Sequence, residues 1–148
     1  MKFAHTNIVS TDWRKLAAFY VNTFGCKILE PTRQYSGEWL DKGLGLQKAK
    51  MTGVHLQLPG YGADGPTLEI YQYEDFEPQE HLMPNKRGFG HIAFEVDDVK
   101  KVLEKLIANG GSTCGEITTR FVEGMGSLTF IYARDPEGNI IELQSWKK

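Results

Sequence analysis

Apolar and polar positions along the chain follow two periods, and the periods come in the same order twice. Residues 2–9 and 89–96 read as strands. Apolar residues at three- and four-residue spacing follow: Trp13, Leu16, Ala17, Tyr20, Val21 and Phe24 first, then Val99, Val102, Leu103, Leu106 and Ile107. That spacing predicts an amphipathic helix in each place. Thr11 or Asp12 caps the first helix and Asp97 or Asp98 the second, since a short oxygen-bearing side chain accepts from the N–H groups that a helix start leaves unpaired. Gly25 and the pair Gly110 and Gly111 supply left-handed stops. Apolar runs bounded by turn residues come next, at 53–60 and 67–73 in the first half and at 127–133 and 139–146 in the second. Each half is predicted as strand–helix–strand–strand–strand. Segment 74–88 is polar, holds two prolines and has no apolar period, which makes it a linker. Segment 31–52 is poorly patterned and is expected as a loop covering a substrate.

The two halves are also related in their letters. An offset of 86 pairs residues 5–30 with 91–116 without a gap, matching His5 with His91, Asp12 with Asp98, Lys15 with Lys101, Gly25 with Gly111 and Glu30 with Glu116. A second offset, of 73, pairs 64–73 with 137–146 and aligns Gly65 with Gly138 and Glu69 with Glu142. The chain is read as one duplicated domain over 1–148, with modules 1–73 and 89–148 and the linker 74–88 between them.

Composition narrows the function without choosing it. The 148 residues are 41% hydrophobic and 24% charged, with a net charge of −2. This is globular and unbiased, which excludes disorder and a nucleic-acid binder relying on a basic field. No apolar stretch approaches the roughly 20 residues of a membrane span, and residues 1–15 turn polar too early for a signal peptide. Cys26 and Cys114 sit in no metal-spacing motif and read as reduced thiols, so a cytoplasmic location is expected.

The chemistry lies in what the repeat keeps. Each half contributes a His from its first predicted strand and a Glu from its last: His5 and Glu69, then His91 and Glu142. On a sheet covered by a helix on one face, alternate side chains point to the other, so the four would share a concavity if the two sheets curve together. A buried carboxylate is costly and two repel, unless a cation resolves both problems. Two imidazoles and two carboxylates suit one divalent first-row metal and give a formally neutral site. An octahedral ion keeps two positions for a substrate with adjacent oxygens. The plainer reading is a hydrogen-bonded strand His and a solvated Glu; pairing His with His and Glu with Glu across the repeat favours the metal. His55 and His81 have no such counterpart: His55 is expected to line the cavity, His81 to be solvated in the linker. Alternation adds Asn7, Tyr71, Ala93, Ile140 and Gln144 beside the metal.

These segments resemble the vicinal oxygen chelate superfamily, which includes glyoxalase I, methylmalonyl-CoA epimerase, extradiol dioxygenases, and fosfomycin and bleomycin resistance proteins. The resemblance rests on HTNIVSTDWRKLAAFYVNTFG, TLEIYQY, NKRGFGHIAFEVDDV and DPEGNIIELQ, which run from residue 5 to 144. It implies an α+β fold of two tandem βαβββ modules forming a cup-shaped, open-barrel-like mixed sheet with helices outside. It implies a divalent metal (Zn, Ni, Co, Mn, Mg or Fe) on His5, Glu69, His91 and Glu142, a pattern closest to glyoxalase I. Extradiol dioxygenases would use only His5, His91 and Glu142. Two positions depart from bacterial glyoxalase I: Val9 stands where it has an Arg for the glutathione carboxylate, and Tyr73 where it has an Asn. The implied substrate is therefore a small molecule with adjacent oxygens that is not linked to glutathione. A homodimer is implied as well.

Three functions are weighed. The first is a metal-dependent isomerase, lyase or epimerase, with Glu142 or Glu69 moving a proton beside a carbonyl and Asn7, Tyr71, His55 and Gln144 contacting substrate. The second is an extradiol-type dioxygenase using Fe(II) or Mn(II), for which His55 is the further acid–base imidazole. The third is a metal-free drug- or metabolite-binding module of the bleomycin-resistance kind.

Overall fold

A computed structural model describes residues 1–78 and 80–148; position 79, inside the expected linker, lies outside the described residues. The protein is α+β, with two mixed sheets, and divides into two compact units, Met1–Pro78 and Gln79–Lys148. The first unit comprises β1 (His5–Val9), α1 (Trp13–Phe24), β2 (Lys27–Ser36), α2 (Glu38–Leu44), β3 (Lys50–Gln57) and β4 (Thr67–Tyr73). The second comprises β5 (Ile92–Glu95), α3 (Val99–Ala108), β6 (Ser112–Thr113), β7 (Thr118–Val122), β8 (Gly126–Arg134) and β9 (Ile140–Lys147).

The two sheets share one plan. In the first the order is β1-β4-β3-β2, with β1 parallel to β4 and the other pairs antiparallel. In the second it is β5-β9-β8-β6, again with first and last strands parallel, and β7 also pairs with β8. Asp12 and Asp98 are the caps, each accepting from the N–H three residues on, at 3.2 and 3.0 Å. Gly25 ends α1 at φ 73°, where a Cβ would be strained.

Alternation decides what is buried. Val54 and Leu56 of β3, with Leu68 and Ile70 of β4, face α1 and lie among Leu16, Ala17 and Tyr20, all nearly inaccessible. Each such side chain contributes roughly 1.5–3 kcal/mol. In the second unit Ile131, Ala133, Ile141 and Leu143 form the matching layer, with Leu103 and Leu106 of α3. The DPEG turn before β9 is tied by the buried Asp135, whose carboxylate accepts from the Glu137 and Asn139 N–H groups at 2.9 and 3.0 Å and from Asn139 Nδ2 at 2.8 Å.

Some expectations need correcting. Strand β1 begins at His5, not residue 2, because its parallel partner begins at Thr67. The ladder of β5 begins at Ile92 paired with Ile141, so His91 stands just ahead of its strand. The strand expected at 53–60 runs over Lys50–Gln57 and gives way to a turn at Gly60. Segment 31–52 is not a loop: it holds the end of β2, all of α2 and the start of β3. Helix α2 is fastened to β3 by Asp41, whose carboxylate accepts from the Lys48 and Ala49 N–H groups at 2.9 and 2.8 Å. A bulge in β2 between Leu29 and Arg33 is stitched by Arg33 Nη1, which donates to the Leu29 and Pro31 carbonyls. Among the described residues, 74–88 holds no helix or strand, and no helix is long and apolar enough to cross a membrane.

Candidate functional site

In the first unit five predicted residues, His5, Asn7, His55, Glu69 and Tyr71, come together on the sheet face opposite α1. Parallel pairing sets Asn7 beside Glu69, and antiparallel pairing sets His55 of β3 opposite Glu69. Glu69 Oε1 lies 3.3 Å from His5 Nδ1 and 3.2 Å from His55 Nε2. His55 Nε2 is also 2.8 Å from the Tyr71 hydroxyl. Tyr71 owes its seat to Gly53, directly across the ladder: a Cβ there would stand 2.1 Å from the Ile70 carbonyl and 2.6 Å from Tyr71 Cδ1. The Tyr71 ring continues into Tyr35, at 6.0 Å between centroids, and Tyr35 into Trp39 at 5.7 Å.

Electrostatics follow from burial. Partial burial lowers the His55 imidazole from its ordinary value, against an opposing pull from Glu69. Burial, reinforced by Tyr35 and Glu69, holds the Tyr71 phenol far above the ordinary value, and burial raises Tyr73 too. Tyr71 therefore keeps its hydroxyl proton.

The second unit repeats half of this arrangement. His91 Nε2 lies 2.9 Å from Glu142 Oε2. Across β8 and β9, Tyr132 stands opposite Glu142, with its ring 4.7 Å from the His91 ring. Burial and the Glu142 charge raise the Tyr132 phenol. Gln144, two residues beyond Glu142 on the same face, pairs with Phe130 and with Glu95. Ile140 is buried, and Ala93 pairs with Glu142. His81 is exposed in the segment after β4.

Among the described residues no group of three or more His, Cys, Asp or Glu has the arrangement to hold a metal ion; His5 and His55 approach Glu69 Oε1 at ion-pair distance, 3.3 and 3.2 Å. Within each unit the chemistry of the pair, an imidazole against a carboxylate, is of a kind that suits a divalent cation. The carboxylates of Glu69 and Glu142 are only 14% and 15% exposed, and among the described residues their ion-pair partners are imidazoles, with no Lys or Arg. A shielded carboxylate with no Lys or Arg beside it lacks a permanent compensating charge, and a cation would supply one. A cleft of about 650 Å³ in the first unit opens elsewhere, between Trp13 and Arg14 of α1 and the strand residues Gln34, Lys50, Thr52 and Gln72, and contains none of these donors.

Over residues 2–143 the chain matches the glyoxalase/bleomycin resistance protein/dioxygenase superfamily. It belongs to that superfamily. This member is similar to a protein named lactoylglutathione lyase from Salmonella typhimurium, 29% identical, over 97% of this chain and 91% of the relative. A probable lactoylglutathione lyase from Synechocystis is 27% identical over 97% and 94%. Among solved structures, a glyoxalase family protein from Bacillus cereus superposes with a TM-score of 0.76 at 20% identity, over 100% of this chain and 94% of its own, a likeness of fold.

Tyr132 is the residue that sequence reasoning missed. It holds in the second ladder the place that His55 holds in the first, opposite the glutamate of the last strand. Strand register exposes that equivalence, whereas matching residue types across the repeat does not.

Proposed function

We propose that this superfamily member is a metal-dependent isomerase, lyase or epimerase of the glyoxalase I-like kind. It moves a proton beside a carbonyl, on a substrate bound through two adjacent oxygens and not linked to glutathione. The observation that carries the reading is the repeated pair: His5 with Glu69 and His91 with Glu142, each an imidazole against a shielded carboxylate. These four residues would hold one divalent ion, of Zn, Ni, Co, Mn, Mg or Fe. When bound, the ion acts as a Lewis acid that polarises the substrate carbonyl and lowers the pKa of the neighbouring C–H.

The protein's own groups handle the proton. Glu142, touched by one imidazole, takes it from carbon onto a carboxylate oxygen and returns it; Glu69, touched by two, stays in place. Return to the neighbouring carbon is isomerisation, and return to the same carbon from the opposite face is epimerisation. Such positioned acid–base catalysis contributes about 10²–10⁴-fold. His55, Tyr71, Asn7 and Gln144 line the approach. Relatives named lactoylglutathione lyase support the lyase reading. Val9 and Tyr73, an exposed apolar and a half-buried aromatic side chain, argue against a glutathione carboxylate anchored there.

His55 beside Glu69 favours a second reading, an extradiol-type dioxygenase with Fe(II) or Mn(II), because that reaction asks for an additional acid–base imidazole. Metal content per subunit by elemental mass spectrometry, on the chain and on Glu69→Gln, tests both. One Zn, Ni, Co or Mn, reduced in the variant, supports proton transfer and directs a screen of 2-oxoaldehyde adducts and acyl-CoA epimers. Iron retained by the variant moves the assignment to the dioxygenase. No uptake of any candidate ion rejects both. The expected homodimer is tested by light scattering.

A further inference from the structure

Glu69 and Glu142 hold the same place in the repeat, yet their surroundings differ. Opposite Glu142 stands Tyr132, stacked on His91. Opposite Glu69 stands His55, with Nε2 3.2 Å from the carboxylate and 2.8 Å from the Tyr71 hydroxyl. Glu69 Oε1 is thus approached by two imidazoles, and the second of these is fixed by a third side chain. Tyr71 in turn is 3% exposed and rests where Gly53 leaves room for its ring. A carboxylate held from two sides has given up its rotamer freedom on folding and loses little more when it binds.

We propose that His55 and Tyr71 are positioning residues that fix the Glu69 carboxylate. The proposal rests on the reading of Glu69 as a metal ligand. With its proton on Nε2, His55 directs a single N–H at two oxygens, Glu69 Oε1 at 3.2 Å and the Tyr71 hydroxyl at 2.8 Å, so the three side chains are held together at that nitrogen. In the second unit the equivalent ring packs on the histidine face instead, and Glu142 has no second imidazole among its described ion-pair partners.

The test measures Ni²⁺ affinity by chelator competition in the full chain and in His55→Leu, His55→Gln and Tyr71→Phe, each with and without Glu69→Gln. Loss of a group that orients a ligand costs about 10–100-fold in metal affinity, and that is the loss expected for His55→Leu. His55→Gln keeps an N–H that can donate to the carboxylate and should recover most of it, with Tyr71→Phe in between. In the Glu69→Gln background His55→Leu should add less than about a twofold loss, because the two act through one contact. Unchanged affinity in His55→Leu, or an equal loss in both backgrounds, overturns the proposal. If the wild-type chain takes up no metal, the ligand reading fails, and the positioning is decided by ¹⁵N NMR of the metal-free protein. There, Glu69→Gln and Tyr71→Phe should each move the His55 Nε2 resonance; a resonance indifferent to both overturns it.

Discussion

Tyr132 lies with its ring 4.7 Å from that of His91 and tilted by 41°, from the strand position that faces Glu142. The stack fixes the imidazole plane while Glu142 Oε2 holds its Nε2 at 2.9 Å. Aromatic pairs of this kind contribute about 0.5–1.5 kcal/mol beyond area burial. Tyr132→Phe should leave metal affinity near wild type, and Tyr132→Ala should weaken it by about tenfold, the scale of a lost supporting contact. Chelator competition reads both; a Tyr132→Phe variant as weak as Tyr132→Ala would put the hydroxyl, not the stack, in charge.

Glu142 is the carboxylate assigned to carry the proton. On the best substrate from the screen, Glu142→Gln should lower kcat by about 10²–10⁴-fold with a small change in KM, since amide and carboxylate are similar in size but only one accepts a proton. Solvent deuterium should enter the product of the wild-type chain. An enzyme that turns over normally with Gln at 142 has another base.

Asp135 is a structural prediction independent of the site. Its carboxylate is buried and accepts two backbone bonds and one from the Asn139 amide. Asp135→Ala leaves those donors unpaired under the turn that feeds β9, a loss of about 2–4 kcal/mol in urea unfolding. Asp135→Asn should cost less, because its amide oxygen still accepts.

The two thiols should react at different rates. Cys26 is buried, and burial pushes its thiol up to about 11, whereas Cys114 is partly exposed, with its sulfur 3.4 Å from Arg134 Nη2. At pH 8 roughly one Cys26 in a thousand is thiolate, by the ordinary titration relation. One equivalent of thiol reagent should therefore add quickly at Cys114, and the second only on unfolding. Peptide mapping that finds the label on Cys26 in the folded protein would contradict the burial.

Much of this fold was legible in the residues because its signals are local. Helix α1 and strand β4 fall where the periods put them, and Asp12, Asp98 and Gly25 terminate helices as their chemistry requires. What escaped was set by edges and register. Strand β2 lies at the border of its sheet with most side chains exposed, so no clean alternation marked it, and α2 hangs on Asp41, a contact made seven and eight residues away. The pairs His5–Glu69 and His91–Glu142 were visible because the repeat kept their types. His55 was placed near the site, but its hold on Glu69 depends on which residue faces it across β3 and β4, and spacing along one strand does not carry that information.

The exchange of His55 for Tyr132 between equivalent places sets the halves apart. Two halves built on one plan would be interchangeable if their equivalent places held the same residues, and neither glutamate could then be told from the other. One imidazole at a single strand position ends that equality. A substitution tolerated in one half need not be tolerated in the other, and the halves are free to take on different duties.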